Sequence, residues 1–307
     1  MMLLHPAAQL GWTNFTIHPS TAIGITALGA LYAWRAHRGP SAVDEVPVVL
    51  GASAVPEAPV AAPAAANATP VGRATPSLGQ RALFFGALAL LFLTLNGPLH
   101  DLSDTYLFSA HMVQHLIMTL VIPPLMIMGT PGWMLRPALR HPVVGPLARR
   151  LTGLGACFMI FNVVLSFWHL PPMYNLALAH HPVHIVQHLM FLVASVLMWW
   201  PLTSPLPELP RAAYPAQMLY CFLMVIPMSV ISIYLVMADS LLYPQYAIAP
   251  RLLGVTPMMD QQYGGLIMWI PGGVFFYAVM TVVFFKWVGR GEDDQASAQI
   301  DWVAPPA

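Results

Sequence analysis

The chain has 307 residues, of which 58% are hydrophobic and only 8% are charged. A soluble globular domain usually carries about 25% charged residues, so most of this surface must face something other than water. Basic and acidic residues balance at twelve each, which excludes an electrostatic basis for nucleic-acid binding. The two cysteines, Cys157 and Cys221, lie in apolar segments outside any CxxC pattern, so a disulfide framework is not indicated.

A membrane-spanning helix needs about 20 mainly apolar residues, and seven segments of the chain meet that requirement. They are residues 19–35, 81–99, 107–129, 151–169, 183–201, 214–238 and 262–286. The sequence therefore predicts an all-α, polytopic membrane protein with seven transmembrane helices, whose surroundings are the lipid bilayer.

Composition also divides the chain. Residues 1–40 form an N-terminal segment with the first transmembrane helix, and residues 41–80 read as a cytoplasmic linker rich in Ala and Pro. Residues 81–290 form a six-helix membrane core that contains the candidate metal site. Residues 291–307 form a polar C-terminal tail.

Basic residues predict the orientation, because cytoplasmic loops of membrane proteins are enriched in Lys and Arg. Eleven of the twelve basic residues fall in alternate loops on one side of the seven segments, and only Arg251 falls on the other. This asymmetry predicts an outer N-terminus, a cytoplasmic C-terminus and a location in the cell membrane.

The same topology places most of the histidines on the outer side. Only His37 and His141 are predicted to lie inside, whereas the other ten of the twelve histidines lie outside or at the outer ends of segments. Ionisable groups at membrane depth are rare and are usually functional. The alternative is a hydrogen-bonded network that holds helix ends together.

Spacing strengthens the metal interpretation. His111 and His115 are four residues apart, as are His184 and His188, so each pair shares one helix face and can chelate a metal ion. Those four are the predicted primary ligands. His169, at the outer end of the fourth segment, and Asp260, just before the seventh, are the next candidates.

Imidazole suits copper, zinc and iron alike, but thioethers nearby favour Cu(I). Several methionines lie in or beside the outer ends of the third and seventh segments, namely Met112, Met118, Met258, Met259 and Met268. The sequence therefore predicts a copper site, of one or two ions, toward the outer (periplasmic) side.

Several motifs resemble the CtaG family of cytochrome c oxidase assembly factors. They begin with His111-Met-Val-Gln-His115 followed by Pro123-Pro124, Trp168-His169-Leu-Pro171 with Tyr174, His184-Ile-Val-Gln-His188, and Leu242-Tyr-Pro-Gln-Tyr246. The longest is Asp260-Gln-Gln-Tyr-Gly-Gly-Leu-Ile-Met-Trp269, continued by Pro271-Gly-Gly273. The resemblance covers roughly residues 82–288.

That resemblance implies a non-enzymatic assembly factor that helps to insert copper into a haem–copper cytochrome c oxidase. It implies the catalytic subunit of the oxidase as partner, with a periplasmic copper chaperone as a possible donor.

Two alternatives remain open from the residues. One is a membrane metalloenzyme of the histidine-box, hydroxylase-like type, although such enzymes place their histidines on the cytoplasmic side. The other is a haem- or quinone-binding respiratory subunit, because histidines that face each other across helices can ligate haem.

Overall fold

The computed structural model describes residues 17–41, 44, 75–251 and 254–301, with side chains as far as residue 290. It is helical, with no strand among the described residues, which confirms the predicted all-α class. Most of the predicted linker (45–74) and the first sixteen residues lie outside the described part.

The first half of the chain forms five α-helices and two π-helical turns. In order these are α1 (Pro19–Arg38), α2 (Leu78–Leu95), α3 (Pro98–Asp101), a π-turn (Leu102–Tyr106), α4 (Phe108–Leu116), a second π-turn (Ile117–Val121) and α5 (Ile122–Gly129).

The second half contains seven α-helices and a short 3₁₀ turn. These are α6 (Gly132–Leu139), α7 (Val144–Leu151), α8 (Leu154–His169), α9 (Pro171–Ala179), α10 (His181–Thr203), α11 (Tyr214–Val236), the 3₁₀ turn (Pro244–Ala247) and α12 (Pro257–Asp301). Helix α12 continues beyond the predicted seventh segment, so part of the predicted polar tail is helical.

Five helical stretches are long and apolar enough to cross a membrane: Leu78–Leu95, Phe108–Gly129, His181–Thr203, Tyr214–Val236 and Pro257–Arg290. A sixth results if α7 and α8, which meet at 81°, count as one broken span. Helix α1, although 20 residues long, is not among them. The chain is therefore a multi-pass membrane protein, while the count of seven and the orientation stay predictions.

The two stretches that carry the histidine pairs are the most enclosed. In an apolar 18-residue part of each stretch, 61% of the residues are buried in Phe108–Gly129 and 56% in His181–Thr203, against 28–39% in the other three. The bundle therefore packs its other helices around this pair.

The second π-turn interrupts the stretch Phe108–Gly129 close to a proline, which has no backbone N–H to donate. Pro123 has no N–H to offer the carbonyl four residues earlier, at Thr119. That carbonyl instead accepts a 2.9 Å hydrogen bond from the indole nitrogen of Trp199 on α10. The irregularity in the helix is thus satisfied by the neighbouring buried helix, as buried backbone groups require.

Glycines allow α12 to lie directly against α4 and α11. A Cβ on Gly264 would lie 2.3 Å from the Phe108 ring, and one on Gly265 would lie 2.8 Å from Val236. Any larger residue would push these helices apart, so the Gly-Gly pair sets their close approach.

Charged side chains join α1, α6 and the start of the linker at the end of the bundle away from the two histidine pairs. The carboxylate of Asp44 lies 3.3 Å from Arg35 and 3.2 Å from Arg140. Burial acts to raise the pKa of the Asp44 carboxyl, but hydrogen bonds from Ser41 and Arg35 outweigh it and hold the pKa below its ordinary value. The basic residues of this end are therefore partly neutralised by the chain itself.

The separation of a histidine end from a basic end predicts the topology. We expect residue 175 to lie outside and residue 145 in the cytoplasm, because basic loops are retained inside. Alkaline phosphatase, which is active only outside the cytoplasm, should therefore be active when fused after residue 175, and a fluorescent protein should fluoresce when fused after residue 145. Paired alkaline phosphatase and fluorescent-protein fusions would measure this. The reverse pattern would move the histidines to the cytoplasmic face and favour the hydroxylase-like alternative.

Candidate metal centre

The two predicted histidine pairs face each other across α4 and α10. Within each pair the ring centroids are 4.3 Å apart for His111 and His115, and 4.2 Å apart for His184 and His188. Between the helices, the rings of His111 and His184 stack at 5.6 Å, and those of His115 and His188 lie 5.5 Å apart. The four residues predicted as primary ligands thus form one cluster.

Three of the four present ligand atoms to a common point. One ring nitrogen from each of His111, His184 and His188 lies within 4.8 Å of the other two. Nitrogens bound to one ion at about 2 Å would be at most about 4 Å apart. Small side-chain movements would therefore bring the three nitrogens onto a single ion.

His115 lies beside this group. Its Nε2 is 2.8 Å from Nε2 of His111, so one of these nitrogens must donate while the other accepts. His115 is also 5.5 Å, ring to ring, from His188 and 6.3 Å from His169. It therefore lies between the three-histidine group and a deeper part of the bundle.

A carboxylate outside the predicted ligand set stands behind the cluster. Asp104, in the first π-turn, lies 3.2 Å from Nδ1 of His184 and 3.8 Å from Nδ1 of His111. It also lies 3.4 Å from Nε2 of His100. A carboxylate on the far nitrogen of a ligand histidine fixes the tautomer and makes the imidazole more basic.

The sequence contained a signal for this carboxylate. Asp104 follows His100 by four residues, the same spacing as the two histidine pairs. Spacing alone does not distinguish Asp104 from Asp260, because each precedes an apolar segment. The π-turn that places Asp104 over the cluster leaves no pattern in the sequence.

Gln114 connects His100 to the rest of the site. Its side-chain amide donates to the carbonyl of Thr94 at 2.8 Å and lies 3.0 Å from Nδ1 of His100. Its oxygen accepts a 3.0 Å hydrogen bond from Ser103. These contacts join α4 to His100 and to the first π-turn.

Asp260 lies at the start of α4. Its carboxylate accepts hydrogen bonds from the backbone N–H groups of Phe108 at 2.7 Å and Ser109 at 3.1 Å, and from the Ser109 hydroxyl at 2.5 Å. The residue before α4, Leu107, offers no side-chain cap, so α12 supplies one from outside. A ligand role for Asp260 stays a prediction, and these contacts favour capping instead.

The cysteines are free and buried. Cys157 lies near the beginning of α8, and His169 is the last residue of that helix. Twelve helical residues span about 18 Å, so the Cys157 thiol is remote from the imidazoles.

Matched substitutions at the two aspartates separate a role at the site from a role in folding. Asp104→Asn should weaken metal binding about tenfold or more, because the imidazoles lose their charged partner. Asp260→Asn should leave the affinity unchanged and lower the free energy of unfolding by no more than about 1 kcal/mol, because an Asn side chain retains much of the capping ability of Asp. Metal titration and thermal unfolding of both purified variants would measure this.

The opposite assignment has an equally clear signature. Reduced metal affinity in a normally stable Asp260→Asn protein, together with wild-type affinity in Asp104→Asn, would make Asp260 the carboxylate of the site.

Comparison with known proteins agrees with the motifs. The model of the family described as cytochrome c oxidase caa3 assembly factor (Caa3_CtaG) matches residues 60–290. Searches of curated proteins and of solved structures give no significant match. The matched region contains both histidine pairs, Asp104 and the glycines of α12. The chain therefore belongs to the family of cytochrome c oxidase caa3 assembly factors.

Proposed function

We propose that this protein binds copper at His111, His184 and His188 and supplies it to the catalytic subunit of a cytochrome c oxidase. The observation that carries the proposal is the meeting of three imidazole nitrogens within 4.8 Å in a member of an oxidase assembly family. In this role copper is cargo, and we expect no catalytic turnover.

Unsatisfied nitrogens support binding of an ion. The Nε2 atoms of His184 and His188 are buried and make no hydrogen bond. A buried polar atom without a partner costs about 1–3 kcal/mol. A bound ion would satisfy these nitrogens, whereas a purely structural network of imidazoles would be expected to pair them.

Charge balance favours a cation over an empty network. The Asp104 carboxylate is buried among the rings of His100, His111 and His184. Neutral imidazoles alone would leave its negative charge uncompensated in a poorly solvated place. A copper ion held by His111 and His184 offsets that charge, while the carboxylate orients both rings.

A membrane-embedded donor also suits the delivery step. Copper that is bound within the membrane part of a catalytic subunit must reach a region of low dielectric, where a bare cation is very costly. Passing the ion directly from the imidazoles of this chain to the ligands of the oxidase means that the ion is never without ligands inside the membrane. The same site could be loaded by a periplasmic copper chaperone if the histidine end faces outward.

Metal content of variants tests the site. His184→Ala and His188→Ala should each remove most of the copper bound by purified protein, because two remaining ligands hold an ion weakly. His141→Ala, which changes a histidine at the basic end, is the matched control and should retain wild-type copper. Elemental analysis would measure the content, and an optical spectrum without a Soret band would exclude the haem alternative.

Deletion of the gene tests the delivery role. We expect membranes of the deletion strain to contain oxidase with its haem but with less copper per oxidase, and with lower activity, than the parent strain. Excess copper in the medium should restore part of the activity. Normal copper loading of every oxidase in the deletion strain would contradict the role even if the protein itself binds copper.

A further inference from the structure

A small cavity lies deeper in the bundle than the three-histidine group. It measures about 20 Å³, and its lining includes His115, His169, Met112, Met228 and Met268. A space of about 10–15 Å³ is enough for one water molecule, so this cavity has room for one small guest such as a single ion.

The imidazole of His169 is set up as a ligand to such a guest. Its Nδ1 lies 2.7 Å from the carbonyl of Leu165, and because a carbonyl only accepts, Nδ1 carries the proton. In the neutral imidazole, Nε2 is then the unprotonated nitrogen. It is buried without a hydrogen-bond partner in a residue that is only 4% exposed.

The three methionines of the lining come from three different helices, α4, α11 and α12. Met112, Met228 and Met268 are 1%, 5% and 3% exposed. Glycines leave space for two of these side chains. A Cβ on Gly272 would lie 2.9 Å from Sδ of Met228, and one on Gly264 would lie 3.2 Å from Cγ of Met112.

The chemistry of this lining differs from that of the three-histidine group. Its potential ligands are neutral imidazoles and thioethers, and the residues that line it include no Asp, Glu, Lys or Arg. A divalent ion would keep its full charge there, which is unfavourable in an apolar interior. Thioether sulfur is a soft ligand that selects Cu(I) among biological metals.

We propose that this cavity is a second metal site, specific for a soft monovalent cation, with His115, His169 and the methionines Met228 and Met268 as ligands. The inference rests on the proposed function, since it takes copper from the three-histidine group. Met112 completes the lining from the side of α4.

His115 connects the two sites. Its Nε2 is 2.8 Å from Nε2 of His111 in the outer group, and its ring is 6.3 Å from that of His169 at the cavity. A Cu(I) ion could therefore move inward by ligand exchange, forming a bond to His115 as the bond to His111 breaks. The oxidation state does not change, and no other reactant is needed.

Silver provides a redox-inert probe, because Ag(I) shares the ligand preference of Cu(I). The full-length protein in detergent would carry His184→Ala and His188→Ala to disable the outer group, and Ag(I) binding would be measured by equilibrium dialysis. We expect about one bound Ag(I) in this background. Adding Met228→Leu and Met268→Leu should weaken its binding at least tenfold.

Met198→Leu is the matched control, because Met198 is an equally buried methionine, 1% exposed, on α10 and is not part of the cavity lining. Leu and Met have similar volumes, so these variants should fold, and thermal unfolding would verify it. Met228→Leu alone provides a milder variant. X-ray absorption of bound copper should show sulfur neighbours in the parent protein and fewer in the methionine variants.

The two proposals fail differently. If Ag(I) binding disappears with His184 and His188 while the methionine variants bind as the parent does, the second site is refuted and the outer site stands. If the methionine variants lose Ag(I) but the outer histidine variants keep full copper content, the proposed outer site is refuted instead.

Discussion

The Asp104 carboxylate, buried against imidazoles from three parts of the chain, organises the histidine end of the bundle. It joins His100, four residues before it, to His111 on α4 and His184 on α10 at 3.2–3.8 Å. Water does not screen such contacts in a buried place, so their geometry is strongly determined. The nitrogens on the other side of the His111 and His184 rings, which we propose as ligands, are thereby held toward one point.

Irregular helices make that arrangement possible. A π-turn places Asp104 over the cluster, and a second follows His115, where Pro123 removes a backbone donor and Trp199 takes up the freed carbonyl. Departures from α-helical geometry often mark functional sites in membrane helices. Helix α12 also supports this arrangement, because Asp260 caps α4 and Gly264 allows α12 and α4 to touch. The histidines therefore lie on a rigid support.

The two proposed sites differ in hardness, and that difference suggests a direction of transfer. The outer group combines imidazoles with a nearby carboxylate, whereas the deeper cavity offers thioethers and no charge. An assembly factor must bind its ion tightly enough to collect it and weakly enough to release it. When the ligands change along the path, the ion exchanges one ligand for another at each step and stays partly coordinated throughout. It is therefore never a bare ion in a region of low dielectric.

The sequence by itself determined the helical membrane architecture, the clustering of histidines at one end and the pairing of His111 with His115 and His184 with His188, because hydropathy and the helical period are local properties. Only the tertiary structure decided that Asp104 stands behind the rings, that Asp260 caps a neighbouring helix, and that Met228 shares a cavity with His169. Each of these depends on contacts between helices distant in sequence, or on π-turns and glycine contacts that set helix registration. The local periodicity of the sequence does not predict such contacts.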